Sequence, residues 1–458
     1  MLRNCLPQTV RRVLSELPAS LDETFEHILK EIGPQKKKDA YRLLQCLCVA
    51  ARPLRLEELA EILAPDFHKT KRRTPNPRDY GLVWRDPEYV VLIYDEPGKK
   101  SEVRRRDREY EVLSSCSSLI MLVDNGHSRV VQFSHFSVKQ FLTSDRLATS
   151  QSSISHFHIA SEAAHTTLTQ ACLATLLRLD SSSSNDQVER DFHLARYASQ
   201  HWVEHAQFER VSSQIKDGIQ HLFDPTKPFF AMWLRLYNID DHWNRSGNAW
   251  VARGSPLYYA SLCGFRELAE HIIKGHPEQV NATGGRRHSP LAAALSKGHF
   301  HVAELLLQHG ASVNVTDYDS QTLLQAASVD GRSDVTRWLL DHGADMNTQQ
   351  DDLAAPIHLA TVNGHLEVIR MLLEYEVNID SADKDGRTPL HLASSSGKVE
   401  IVRLLLDRGA SANAVDKDGC TPLILTWTNE VEDLLLNYGA SPGENGGSTE
   451  GGIENEKV

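Results

Sequence analysis

One block of this chain repeats at a fixed period. SPLYYASLCG, SPLAAALSKG, TLLQAASVDG, APIHLATVNG, TPLHLASSSG and TPLILTWTNE begin at residues 255, 289, 322, 355, 388 and 421, so the spacing is 34 residues once and 33 four times. Self-similarity of this kind constrains the fold more than composition does. Each unit is a single supersecondary element, too short to bury its own apolar face, and must stack on its neighbours.

The fifth unit shows the local chemistry. Thr388 is placed as a helix N-cap, and Pro389 suits the first helical position, where its missing N–H would be unpaired anyway. Leu390, Leu392 and Ala393 open an apolar face, and Gly397 ends the helix. VEIVRLLLDRGA then predicts a second short helix, Gly409 supplies a left-handed helix end, and DKDG (416–419) makes a tight turn.

With TPLH, GH and HGA(D/S) elements in place, the units resemble ankyrin repeats over residues 251–441. The resemblance implies L-shaped helix pairs with β-turn fingers, stacked into a curved solenoid whose concave face binds protein partners. It also implies a structural role for His358 and His391, whose imidazoles would bridge backbone and neighbouring hydroxyls. Two departures stand out. Glu376-Val377 replaces Gly-Ala in the fourth unit and removes the glycine that the helix end calls for. The sixth unit lacks the glycine after its first helix and is shortened, as a terminal capping repeat would be. Beyond Ser441, PGENGGSTEGGIENEKV has almost nothing to bury and is expected to be disordered.

Finger tips and the exposed side of the first helices are the expected partner contacts: Tyr318, Asp319, Gln321, Asp330, Asp352, Asn363, Lys384, Asp385 and Arg387. Each of them also reads as an ordinary solvated polar residue.

The first half has no repeat. PQTVRRVLSELPASLDETFEHILKEI (7–32) alternates helical stripes around a break at Pro18, with Ser20 and Glu23 spaced as a capping box. DAYRLLQCLCVAARPLRLEELAEILA predicts two more helices around Pro53, and EYEVLSSCSSLIML a helix running into a strand. SLIMLVD and SRVVQFSH are β-rich runs joined by Asn125-Gly126, a strong hairpin signal. Three helices and a hairpin describe a winged helix. These stretches, with CSSLI and VVQFSHFSVKQFLTSDRL, are similar to the winged-helix region that follows the NACHT nucleoside-triphosphatase module in fungal signal-transducing ATPases, also found in inositol-deacylase-like proteins; residues 86–108 read as an insertion.

In that superfamily the F-x-H-x-S histidine contacts nucleotide phosphate, and the resemblance carries this role to His135 in FSHFS. No G-x-x-x-x-G-K-[ST] exists here to hold the phosphate, so His135 reads as vestigial or simply packed. Met1 falls almost at the start of the winged-helix match, which reads as a fragment, an incomplete gene model or a shortened paralogue.

HWVEH (201–205) fits the inverted zinc-protease pattern H-x-x-E-H, with Glu278 as a distant third ligand. Against it, Leu194, Tyr197, Ala198, His201, Trp202 and His205 share one helical stripe, so both histidines extend a packing face. The seven cysteines form no CxxC pair and read as buried thiols. Residues 1–110 carry 22 Lys+Arg against 18 Asp+Glu, within a chain of net charge −12. Of the basic runs at 36–38, 69–73 and 104–106, the last two lie in apparent loops, and acids interleave throughout, a poor footprint for nucleic acid. No apolar run reaches bilayer length, and the N-terminus lacks a signal-peptide pattern, so an intracellular, cytoplasmic setting with no membrane partner is expected.

The reading is a mostly α, multi-domain chain: a helical segment (1–35), a winged-helix-like domain (36–150), a helical connector (151–250), six ankyrin repeats (251–441) and a tail (442–458). The expected function is non-enzymatic recognition of protein partners by the solenoid, with no cofactor. The main alternative is a regulatory fragment that docks on a nucleotide-binding module in trans; DNA binding by the winged helix ranks third.

Overall fold

The computed structural model describes residues 21–63, the backbone of 83–86 and 89–92, residues 116, 118–124, 126, 128–150, 153–179, 184–240, 254–348 and 354–441. The chain divides into two compact units, 1–247 and 248–458.

The first unit opens with α1 (Leu21–Glu31), α2 (Lys37–Val49), β1 (Leu54–Arg55) and α3 (Leu56–Ile62). A two-stranded ladder follows, β2 (Val83–Asp86) with β3 (Tyr89–Leu92), and then a hairpin of β4 (Ile120–Asp124) and β5 (Arg129–Phe133). The remaining elements are α4 (Phe136–Leu142), α5 (Asp145–Ala148), α6 (Ser161–Leu176), α7 (Asn185–Asp191), α8 (Ala195–Ala206), α9 (Val211–Gln214), α10 (Lys216–Leu222) and α11 (Phe229–Leu236). The helix expected before Pro18, the basic runs at 69–73 and 104–106 and nearly all of the helix expected at 109–116 lie outside the described residues.

The hairpin forms. Its last pair is Asp124 with Arg129, so four residues stand between the paired ends. Gly126 still takes the left-handed conformation at φ 74°, and its N–H donates to Asp124 Oδ1 at 2.9 Å. β1 adds to the other edge of β5 with Leu54 opposite Val131, giving a three-stranded sheet in the order β1-β5-β4.

Helix α6 shows why this half packs around its middle. Ala164, Leu168, Cys172 and Leu176 recur every fourth residue and are all fully buried, each leucine contributing roughly 2 kcal/mol or more by leaving water. Hydrogen bonds also cross the boundary expected at residue 150. Tyr41 Oη donates to His158 O at 3.0 Å, Thr167 Oγ1 to Gln45 Oε1 at 3.2 Å, and Leu194 N to Glu61 Oε2 at 2.9 Å. The α2–α3 segment and the downstream helices therefore form one body. At its joint, buried Glu58 takes a bidentate pair from Arg52 (2.7 and 2.9 Å) and a further bond from Arg55 Nε (3.0 Å). Burial alone would raise its pKa; the two guanidinium groups reverse that and hold it below the usual carboxylate range.

The second unit is the solenoid, an ankyrin-repeat array. Its helix pairs are α12 (Pro256–Leu262) with α13 (Arg266–Gly275), α14 (Pro290–Ser296) with α15 (Phe300–Gln308), α16 (Leu323–Asp330) with α17 (Ser333–Asp341), α18 (Pro356–Asn363) with α19 (Leu366–Glu374), and α20 (Pro389–Ser395) with α21 (Val399–Asp407). The sixth unit keeps only its second helix, α22 (Asn429–Asn437); residues 422–425 form turns where the first would be. Ser255 and Ser289 cap their helices as expected, accepting from the third N–H.

Glu376 resolves the anomaly of the fourth unit. It adopts the left-handed conformation at φ 61°, where four of the other units place Gly310, Gly343, Gly409 and Gly439 at φ 79–89°. The helix end is unchanged: Val377 N reaches back to Leu372 O as Ala410 N does to Leu405 O. Tertiary packing on both sides imposes a backbone that the residue itself disfavours.

Candidate functional site

The solenoid face begins with the fingers, which are braced by an aspartate at one repeat position. Asp317 Oδ1 accepts from Asp319 N and Gln321 N, Asp383 Oδ1 from Asp385 N and Arg387 N, and Asp416 Oδ1 from Asp418 N and Cys420 N, at 2.8–3.0 Å. One carboxylate thus closes each of these three fingers by its own side chain, a turn that needs no partner strand.

The histidines of the TPLH position hold fingers to helices. His391 Nδ1 accepts from Thr388 N at 3.1 Å, and Nε2 donates to Cys420 O of the next finger at 3.1 Å. The tautomer follows from these partners. His358 Nε2 likewise donates to Ser381 O at 2.8 Å, but position 355 is alanine, and Nδ1 has no hydrogen-bond partner among the described residues. In the third unit Gln325 does the same work. Thr322 N donates to its Oε1, and its Nε2 donates to Thr348 O and Ala354 O. Sequence comparison with TPLH missed Gln325, because an amide replaces the imidazole. Burial pushes the pKa of His358 and of His391 below the ordinary imidazole value, so both are neutral bridges.

A second ladder runs along the ends of the first helices. Arg332 Nη1 donates to Ser296 O, His365 Nε2 to Val329 O and Trp427 Nε1 to Ser395 O, each at 2.9 Å. Gly331 lies beneath His365; a Cβ there would come within 2.5 Å of the ring, and its φ is 69°. Trp427 replaces the basic or imidazole donor in the shortened sixth unit.

The expected contact residues fall on this frame unequally. Tyr318 is 55% exposed, its ring edge-on to His288 at 4.5 Å; Asp319 beside it in the finger and Asp330 at the end of α16 are exposed as well. Gln321 is half-buried in its finger. Asn363 is exposed, yet its Nδ2 donates to Leu359 O of its own helix. Lys384 is exposed, and its carbonyl accepts from Lys417 Nζ. Arg387 binds Asp385 at 2.8 Å and Asp383 at 3.1 Å, so this pair braces the finger. Asp352 lies outside the described residues. Six exposed large apolar side chains among the described residues of the solenoid were not anticipated, Val362 at 52%, Val415 at 59% and Trp427 at 76% being the most exposed. Val362 shares its repeat position with Ser296, Val329 and Ser395, so the period held the signal, but an apolar residue on a helix reads as core.

His135 is the N-cap of α4, with Nδ1 accepting from Ser137 N at 3.2 Å and lying 2.6 Å from Ser137 Oγ. HWVEH lies on α8, as the packing stripe requires. His205 is buried, His201 is half-buried and pairs with exposed Glu204 at 3.5 Å, and Trp202 packs edge-on against Trp233 at 5.2 Å. Glu278 is exposed and lies 3.2 Å from His276. Among the described residues no group of three His, Cys, Asp or Glu is placed to hold a metal ion. No helix among them is long and apolar enough to cross a membrane.

The family model described as "Ankyrin repeats (3 copies)" matches residues 257–350 and again 350–416. The chain is 32% identical over 316 residues to a Monascus ruber protein named "Azaphilone pigments biosynthesis cluster protein L", a match covering 65% of this chain and 61% of that protein. The chain thus spans about three-fifths of the length of this relative. Among solved structures, the ankyrin repeat domain of Bcl-3, described as a unique member of the IkappaB family, is 27% identical, with 41% of this chain and 87% of that chain covered and a TM-score of 0.38.

Proposed function

We propose that this chain is a non-enzymatic scaffold whose solenoid captures a protein partner on the face formed by its fingers and first-helix ends. The observation that carries this reading is the exposure of Tyr318, Val362, Val415 and Trp427 across the third to sixth units. Large apolar side chains held out by a braced backbone are the anchors a partner buries, and a preformed surface loses little entropy on binding. Asp319, Asp330, Asn363 and Lys384 would form the polar rim around them. The name of the Monascus ruber relative makes a protein of a biosynthetic pathway the first class of partner to test.

The test uses the full chain, immobilised, with lysate of the source organism. Y318A and V362R should each lower retention of a specific protein at least tenfold while the melting temperature holds. Retention unchanged by both substitutions would place recognition elsewhere. A second reading, docking on a nucleotide-binding module supplied in trans, draws support from His135: Ser137 engages Nδ1, which leaves Nε2 on an exposed residue for an acceptor. His135→Ala separates the two readings, because only the second requires that imidazole.

A further inference from the structure

Beneath the HWVEH helix lies a hydrogen-bonded chain that the binding function does not use. His165 Nδ1 on α6 faces His205 Nδ1 on α8 at 3.0 Å, and His205 Nε2 is 2.8 Å from Tyr197 Oη. Tyr197 Oη accepts from Ala51 N at 3.1 Å, at the corner where α2 turns into β1. Tyr197 and His205 are buried; His165 is half-buried and stacks on Phe208 at 4.2 Å.

The proton inventory admits one arrangement that satisfies every group. Tyr197 accepts from Ala51 and donates its hydroxyl proton to His205 Nε2. His205 then carries its proton on Nδ1 and donates it to His165 Nδ1. Between the two facing nitrogens there is room for a single proton.

We infer that the chain His165–His205–Tyr197 is a proton-operated latch, closed when both imidazoles are neutral, that pins the α2–β1 corner to α8. A proton arriving at His165 Nδ1 would set two N–H groups face to face at 3.0 Å. The chain accommodates it only by reversing every bond: His165 donates to His205 Nδ1, His205 Nε2–H donates to Tyr197, and the buried tyrosine hydroxyl proton loses its acceptor. A buried cation and an orphaned O–H together favour opening.

The surroundings set the balance. Glu204 favours the added proton, whereas Lys139 and His201 oppose it, and Arg52 lies over the Tyr197 ring at 5.0 Å. Glu58 acts on His201 in the favourable sense, but its charge is already taken by Arg52 and Arg55. The Glu162 carboxylate is held by Gln214, and the thiols of Cys46 and Cys172 stay neutral because burial raises their pKa values. Burial, with His165 and His201 adding to it, lowers His205 to about 3.

The experiment is amide hydrogen exchange of the full chain between pH 7.5 and 5, corrected for intrinsic rates and read in peptides spanning 45–55 and 195–208. Opening frees both imidazoles to take up protons, so the opening constant should rise as pH falls below about 6.5, and rise less steeply in H165Q. A wild-type opening constant that does not rise as pH falls overturns the latch, as does an unchanged slope in H165Q. H165N provides the same comparison if H165Q fails to fold, and the wild-type slope decides by itself if both fail.

Discussion

Glu376 and Ala355 each break a local rule that the rest of the solenoid keeps, and both are open to correction. A β-carbon in the left-handed region costs about 1–2 kcal/mol that glycine does not pay. Glu376→Gly should therefore raise the urea midpoint, by an amount equivalent to about 0.5–1 kcal/mol after the entropy of the more flexible unfolded chain is subtracted. Ala355→Thr should stabilise by about 1 kcal/mol, because it restores an N-cap oxygen and gives the orphaned His358 Nδ1 the hydroxyl that His391 finds in Thr388. A melt of each variant against wild type checks the sign. The sequence shows both substitutions plainly, but not their outcome. Only the neighbouring units reveal that the backbone at 376 is held in place and that the imidazole at 358 is left one bond short.

At the scale of the element, the finger-to-helix bridges make the solenoid sensitive to acid. His358 and His391 are fully buried, and burial depresses their folded-state pKa below the ordinary 6.5. For a base so depressed the sign is fixed: the stabilising difference is complete above about pH 6.5 and is lost as pH falls from there toward the folded-state value, by up to about 1.4 kcal/mol per pH unit for each imidazole. The urea midpoint should drop between pH 7 and pH 5. His391→Gln should reduce that drop at little cost at pH 7, since Gln325 already bridges the third unit with a group that does not titrate. The position of these bridges follows from the TPLH pattern and the 33-residue period. The glutamine version does not, because hydrogen-bond geometry, not residue type, qualifies a side chain for the post.

Across the whole molecule, stacked units share stability with their neighbours and end units share least. Leu372→Ala, in the fourth unit, should cost about 2–5 kcal/mol and loosen the third and fifth units with it, whereas Leu435→Ala should chiefly fray the sixth; both side chains are fully buried, and hydrogen exchange by peptide distinguishes the two patterns. The sequence by itself determined the repeat, its caps and its glycine helix ends, and the packing stripe of HWVEH, since all of these arise from interactions within a few residues. It also marked the hairpin. Tertiary structure alone decided the union of α2 and α3 with the later helices, the meeting of His165 with His205, and the exposure of Val362 and Trp427. Those depend on which surfaces meet across long stretches of chain, and local pattern carries no record of the partner that a side chain finds or fails to find.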